Sequence, residues 1–252
     1  MADRTKELDG RVAVVTGAGR NIGRAIALEL SAAGASVVVN ARANKAEAEA
    51  LAEEIEAKGG RAAVVLGDVG DPETGTRIAK GAAETFGRID ILVNNAAIRR
   101  ETPIDEMTYA DWREVTGTIL DGAFLCTKAC LPQLIGSDGG TIINMGGMSG
   151  HTGARDRAHV IAAKSGLVGF TRALAHDLAG YGITVNCVVP GLFDTARGPM
   201  GPLPQHHASH QTLVGRKGRP AELASFIRFL CGPDARYITG QTLHANGGAY
   251  LG

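Results

Sequence analysis

The sequence has few aromatic residues: one tryptophan, four tyrosines and six phenylalanines in a chain of 252. A core with so few rings must be built from aliphatic and small side chains, which pack closely where helices lie on a sheet. Charge of one sign is lacking too, since 26 basic side chains face 26 acidic ones. With no electrostatic excess, nucleic acid and membrane surfaces are not expected as partners. The polar residues 1–10 lack an apolar leader core, and no run is long and apolar enough to span a membrane. A cytoplasmic protein is therefore expected. Only four cysteines occur, Cys126, Cys130, Cys187 and Cys231, without a CxxC pair or zinc-ligand spacing. Cys126 and Cys130 stand four apart on a predicted helix and share a face, as small core residues do; no metal is expected.

Glycine is plentiful, at 35 residues, and it punctuates an alternation of strands and helices. Residues 11–16 (RVAVVT) read as a buried parallel strand, and 21–33 as a helix ending at Gly34. Strands at 35–40, 62–66, 89–94, 141–145, 183–188 and 241–245 are separated by helices at 44–58, 72–86, 109–135, 160–179 and 221–230. Such alternation predicts an α/β fold, a single-domain Rossmann-type doubly wound parallel sheet with helices on both faces. No linker or repeat divides the chain, so a single domain over 1–252 is expected. Residues 196–217, rich in Gly, Pro and His, are too long for an ordinary connection and are expected to form a substrate lid.

The segment VVTGAGRNIG sets a glycine-rich turn between the first strand and the first helix. Gly17 permits the turn, Gly23 lets helix and strand approach, and the helix N-terminus offers N–H groups at Asn21 and Ile22 to a pyrophosphate. A glycine-rich turn alone is a weak signal, but strand, turn and helix all fall where the mechanism needs them. The second strand ends in Asn40-Ala41-Arg42, without the carboxylate that would bond a ribose 2′-hydroxyl. Arg42 and Arg20, unopposed by an acid there, favour the 2′-phosphate of NADP(H) over NAD(H). The alternative for Arg42 is a solvated surface charge.

These motifs, in their order and spacing, resemble the classical short-chain dehydrogenase/reductase family over nearly the whole chain. The turn resembles TGxxxGxG, with Asn21 where the middle glycine is usual. Asp68-Val69 resembles the pair that holds the adenine, and Asn94-Asn95-Ala96-Ala97 resembles the NNAG that lines the cofactor. Pro190-Gly191 with Thr195 resembles the PGxxxT that meets the carboxamide, and Asn246-Gly247-Gly248 the closing DGG. By this resemblance Gly17, Arg20, Asn21, Ile22, Arg42, Asp68, Val69, Asn95, Ala96, Lys164, Pro190, Gly191 and Thr195 are the cofactor-binding residues.

The resemblance also implies a catalytic Asn, Ser, Tyr and Lys, and here the sequence departs from it. Lys164 stands at the lysine of YxxxK, but the tyrosine position is Val160. The serine position, thirteen residues ahead of Val160, is Gly147, and the asparagine position of the WREVTGTILDG helix is Ile119. Valine and isoleucine move no proton, and glycine has no side chain to donate. Tyrosine-dependent reduction is therefore not expected. Among replacements, His159 is the foremost, with an ordinary pKa of about 6.5 suited to neutral acid–base work. Ser149 and His151 lie just past the serine position. For each, a loop or capping role is the competing reading.

Arg99, Arg100, Arg155 and Arg157 crowd the same side, consistent with a small-molecule substrate carrying an anionic group. Solvated loop charges are the alternative for any one of them. Two functions remain open: an NADP(H)-dependent oxidoreductase acting on a small carbonyl, alcohol or imine-like substrate with a non-standard proton donor, or a nucleotide-binding sensor or partner subunit without redox turnover. The resemblance implies a homo-oligomer, dimer or tetramer, through the helices near 109–135 and 160–179. Gly122, Ala123, Ala162, Ala163, Gly166 and Gly169 would allow their close packing.

Overall fold

The computed structural model describes residues 6–195 and 211–252. Valine-rich runs form the inner strands of a parallel sheet: β1 (Val12–Val15), β2 (Ser36–Ala41), β3 (Ala62–Leu66), β4 (Ile91–Asn94), β5 (Thr141–Met145), β6 (Thr184–Pro190) and β7 (Thr242–Ala245). Their spatial order is β3-β2-β1-β4-β5-β6-β7, and each neighbouring pair is parallel. The order reverses between β1 and β4, so a crevice opens beyond their carboxyl ends, where ligands bind in such sheets.

The two-residue period of the strands sends alternate side chains into two cores. Ala13 and Val15 of β1 join one with Ile26 and Leu30 of α1 (Asn21–Ala32), Leu51 of α2 (Lys45–Ala57) and Ile227 of α8 (Pro220–Cys231). Val12 and Val14 join the other with Ile78 of α3 (Pro72–Phe86), Cys126 and Cys130 of α5 (Gly122–Ile135), and Leu178 of α7 (Ala158–Leu178). All four cysteines are free and buried. The doubly wound single-domain sheet expected from the alternation is the observed fold.

Two differences matter for the site. The helix expected over 109–135 is broken: α4 (Tyr109–Thr116) passes through a π-helical turn, Gly117–Asp121, before α5 begins. Such turns re-aim side chains where a regular helix could not. The last long helix, α7, begins at Ala158, two residues earlier than expected, with Arg157 as its N-cap. The lid expected over 196–217 falls outside the described residues for 196–210. Residues 211–217 lie against the closing glycines, where the Val214 amide donates to the Gly247 carbonyl at 3.2 Å. No helix among the described residues is long and apolar enough to cross a membrane.

Candidate active site

The turn after β1 is held by side chains that reach in from neighbouring strands. Thr16 Oγ accepts the Asn95 and Ala96 amides at 2.9 and 3.0 Å. Asn95 Nδ2 donates to the Thr16 and Gly17 carbonyls at 2.9 and 3.0 Å. Asn40 is buried at the end of β2; its Oδ1 accepts the Gly17 amide at 3.3 Å and its Nδ2 donates to the carbonyls of Val65 and Gly67. These bonds fix the backbone independently of any ligand. A Cβ on Gly23 would lie 2.3 Å from the Gly17 carbonyl oxygen, so only glycine permits this helix to approach the turn. Asn21, where the resembling motif has glycine, takes φ +52°, the left-handed region that asparagine tolerates better than most residues.

The start of α1 differs from those of the next three helices. Asn44, Asp71 and Thr108 each cap the N-terminus of α2, α3 and α4 with a side-chain oxygen. Arg20, at the same position of α1, makes no such cap, and the first turn of α1 carries no acid. Uncapped N–H groups at the positive end of a helix dipole, beside an exposed arginine, fit a pyrophosphate. Arg42 is exposed at the end of β2 and pairs with Asp68 at 3.8 Å and Glu114 at 3.4 Å. Asp68 also accepts the Gly70 amide at 2.9 Å, and Val69 is buried behind it. Arg42, which reads as unopposed in the sequence, is thus met by two carboxylates from distant segments, while the helix N–H groups and Arg20 remain suited to the phosphates of a dinucleotide.

Across the crevice, Gly191 follows β6 and donates its amide to the Ala245 carbonyl at 3.0 Å. A Cβ on Gly191 would lie 2.6 Å from Asn246 Cα, which requires glycine there. Thr195 is the last described residue on this side. A buried amide ladder stiffens the floor: Asn94 Nδ2 donates to Asn144 Oδ1 at 2.9 Å and to Thr127 Oγ at 3.2 Å, while Asn144 Nδ2 donates to Thr171 Oγ at 3.0 Å. Sequence reasoning missed Asn144. The signal was an amide inside a buried strand, which must find partners from its neighbours.

The positions that the resemblance assigns to proton transfer come together around Lys164. Its Nζ donates to the Met145 carbonyl at the end of β5. Burial, with the like charges of Arg99 and Arg157, pushes its pKa down to about 8, against an opposing pull from Cys187. Val160 lies one turn before Lys164 on α7, and Gly147 lies across from it: a Cβ there would sit 3.5 Å from Lys164 Cγ. Ile119, from the π turn, packs with Val160, Val115, Ala123, Ala163 and Leu167 in one apolar cluster. The positions that the resemblance assigns to asparagine and tyrosine therefore face each other as hydrocarbon.

The other expected donors lie elsewhere. His159 is wholly buried in the first turn of α7. It lies five residues before Lys164, about 140° around the helix at 3.6 residues per turn, so the two do not share a face. Burial pushes its pKa down, and among the charges acting on it are Arg100 and Asp111 of the α4 side. His151, on the short helix α6 (Ser149–Thr152), packs edge-on against His244 at 4.6 Å and lies 5.7 Å from Tyr250. Ser149 opens that helix, and its carbonyl accepts the Gly153 amide. The four arginines separate. Arg100 pairs with Asp111 and Glu114, each at 2.7 Å, and exposed Arg155 pairs with Asp156 at 3.5 Å. Arg99 and buried Arg157 are the two that act on Lys164.

Of the small residues expected at a subunit contact, four are used inside the chain. Ala123 and Ala163 are buried, and a Cβ on Gly122 or Gly166 would meet Val69 or Leu120. Only Ala162 and Gly169 are exposed.

Comparison with known proteins agrees with this geometry. Residues 17–250 match the family described as enoyl-(acyl carrier protein) reductase. The 3-oxoacyl-[acyl-carrier-protein] reductase FabG of Staphylococcus aureus is 39% identical over 241 residues, covering 95% of this chain and 98% of the relative. A dehydrogenase/reductase from Sinorhizobium meliloti superposes with a TM-score of 0.91 at 35% identity, covering 98% of both chains. A short chain dehydrogenase from Burkholderia cenocepacia, solved in complex with NADP, gives 0.90 at 34% identity, covering 96% of this chain and 99% of that one. The chain belongs to this short-chain dehydrogenase/reductase family of oxidoreductases.

Proposed function

We propose that the chain is an NADP(H)-dependent oxidoreductase acting on a small carbonyl, alcohol or imine-like substrate, with Lys164 handling the proton in place of a tyrosine. The observation that carries this reading is the position of Lys164. It stands at the same sheet edge as the nucleotide turn, anchored to Met145 and with a pKa lowered to about 8. Arg20 and Arg42 supply the preference for a 2′-phosphate, and the Burkholderia relative's complex with NADP supports it. The bound nicotinamide supplies or accepts the hydride. Lys164 holds a proton near neutral pH, and the apolar wall of Ile119 and Val160 keeps water from competing for it. His159 is left a packing role, because α7 turns it away from Lys164. The short-chain dehydrogenase/reductase resemblance supports a homo-oligomer in the cytoplasm, with Ala162 and Gly169 as the small residues left outside to meet a partner.

The test is absorbance at constant NADPH with panels of ketones, imines and activated alkenes. Turnover that disappears in Lys164→Met and persists in His159→Ala supports the reading. NADPH binding with no turnover of any class overturns it in favour of a second reading, a nucleotide-binding sensor or partner subunit. The hydrocarbon cluster of Ile119 and Val160 is the observation that favours that alternative.

A further inference from the structure

We propose that Glu114 limits the preference for the phosphorylated nucleotide by competing with the ribose 2′-phosphate for Arg42; this deepens the NADP(H) reading of Arg42 and rests on it. No acid neighbours Arg42 in the sequence, where residues 36–44 read SVVVNARAN. The fold brings two. Arg42 Nη1 lies 3.4 Å from Glu114 Oε1 on α4 and 3.8 Å from Asp68 Oδ2 beyond β3. Asp68 is tied by its other oxygen to the Gly70 amide at 2.9 Å, which holds it in place. Glu114 Oε2 takes Arg100 Nη2 at 2.7 Å, and Arg100 turns its other nitrogen to Asp111 Oδ1, also at 2.7 Å.

These pairs form one chain of charges, Asp68–Arg42–Glu114–Arg100–Asp111, in which acids outnumber bases by one. The chain as a whole therefore repels the dianion that Arg42 by itself attracts. Glu114 is the member that can yield. Released by Arg42, it keeps Arg100, the shorter of its two contacts, and no buried charge is stranded. A 2′-phosphate must displace it, whereas an unphosphorylated ribose leaves the pair intact, so the cost falls on NADPH alone. Asp68, Gly70, Glu114 and Gly117 line one open groove of about 420 Å³, which sets Glu114 in the same groove as the residue that the resemblance assigns to the adenine. The Arg42 and Glu114 side chains are 57% and 39% exposed, so the effect is a several-fold tuning and not a switch.

The experiment is calorimetric titration of the full chain with NADPH and separately with NADH, at low and at high salt. Glu114→Gln keeps the size of the side chain and removes its charge. It should tighten NADPH about three- to tenfold at low salt, because an exposed ion pair and a like-charge repulsion are both lifted, and change NADH less than about twofold. The gain should shrink at about 0.5 M salt, where exposed charges are screened. In an Arg42→Gln background the same substitution should change NADPH less than about twofold, since nothing remains to compete for. Glu73→Gln removes an equal charge from the exposed face of α3 and should leave both affinities within about twofold. Thermal melts show whether each variant folds, and Glu114→Ala, a stronger helix former, stands in should Glu114→Gln not fold. An unchanged NADPH affinity in Glu114→Gln, an equal gain for NADH, or a gain that persists with Arg42→Gln overturns the proposal. Failure of the reading beneath it looks different: Arg42→Gln alone then leaves NADPH as tight as in the parent chain. None of these titrations needs turnover, so absence of a reaction bears on the oxidoreductase reading alone.

Discussion

The nucleotide turn and the wall around Lys164 share one edge of one sheet, yet they depart from the family pattern in opposite ways. At the turn, the departure is Asn21 for glycine, and the backbone absorbs it at φ +52°. At the wall, polar positions become Ile119, Gly147 and Val160, and Ile119 and Val160 close into an apolar cluster. The turn uses main-chain N–H groups, which persist as long as the fold does. Proton transfer uses side-chain groups, which a single substitution removes. On the proposed reading, nucleotide binding and proton chemistry are separable properties of the same scaffold, and Lys164 is where they meet.

The largest effect expected from breaking this comparison is at Lys164. Lys164→Met should lower kcat about 10²- to 10⁴-fold, the range of a lost general acid, measured as NADPH consumption. The pH profile sharpens it. Carbonyl reduction needs the protonated amine, so kcat should be level below about pH 8 and fall above it, in keeping with the lowered pKa. The sign for stability follows from the same shift. The folded pKa of about 8 lies below the ordinary 10.5, so the unfolded chain binds more protons between those values. Stability measured relative to Lys164→Met should then rise from about pH 8 to 10.5 and be flat below. A kcat profile that is flat through pH 8 breaks the assignment.

Next in size, Gly23→Ala should destabilise the fold by about 2–3 kcal/mol, because its methyl meets backbone that cannot yield. Denaturant unfolding measures this, and dinucleotide binding should be lost with it. The pair Arg20→Ala and Arg42→Ala should weaken NADPH about 10- to 100-fold, corresponding to about 1.5–3 kcal/mol of charge-assisted bonding, while NADH is little changed. Equal losses for both nucleotides would assign the arginines to the surface. The smallest change is expected of Gly147→Ser. Its Cβ would meet only the Lys164 side chain at ordinary contact distance, so stability should move by less than about 0.5 kcal/mol. A larger loss would mean that the wall has closed around the missing hydroxyl.

Most of the fold was legible because valine runs and glycine stops carry a local period. The sheet order was not, since parallel strands meet through contacts far apart in sequence. The π turn escaped because apolar spacing around Gly117–Asp121 reads the same whether the backbone bonds to the fourth or the fifth residue. The start of α7 was set two residues late, and that shift matters: it brings His159 inside the helix, on another face from Lys164. The arginines looked equivalent in sequence; only the fold showed that Arg100 meets the carboxylates of α4 and that Arg157 is buried while Arg155 is exposed.

The sequence by itself determined the doubly wound sheet, the glycine-rich turn, the basic residues beside it and the hydrocarbon at the proton-transfer positions. These depend on residue type and short spacing, which are local quantities. Only the tertiary structure decided that Asn40 and Asn95 brace the turn, that His151 packs on His244 and Tyr250, and that burial together with two arginines lowers the pKa of Lys164. A pKa is set by the surrounding dielectric and by charges from distant segments, so no stretch of sequence around Lys164 contains it.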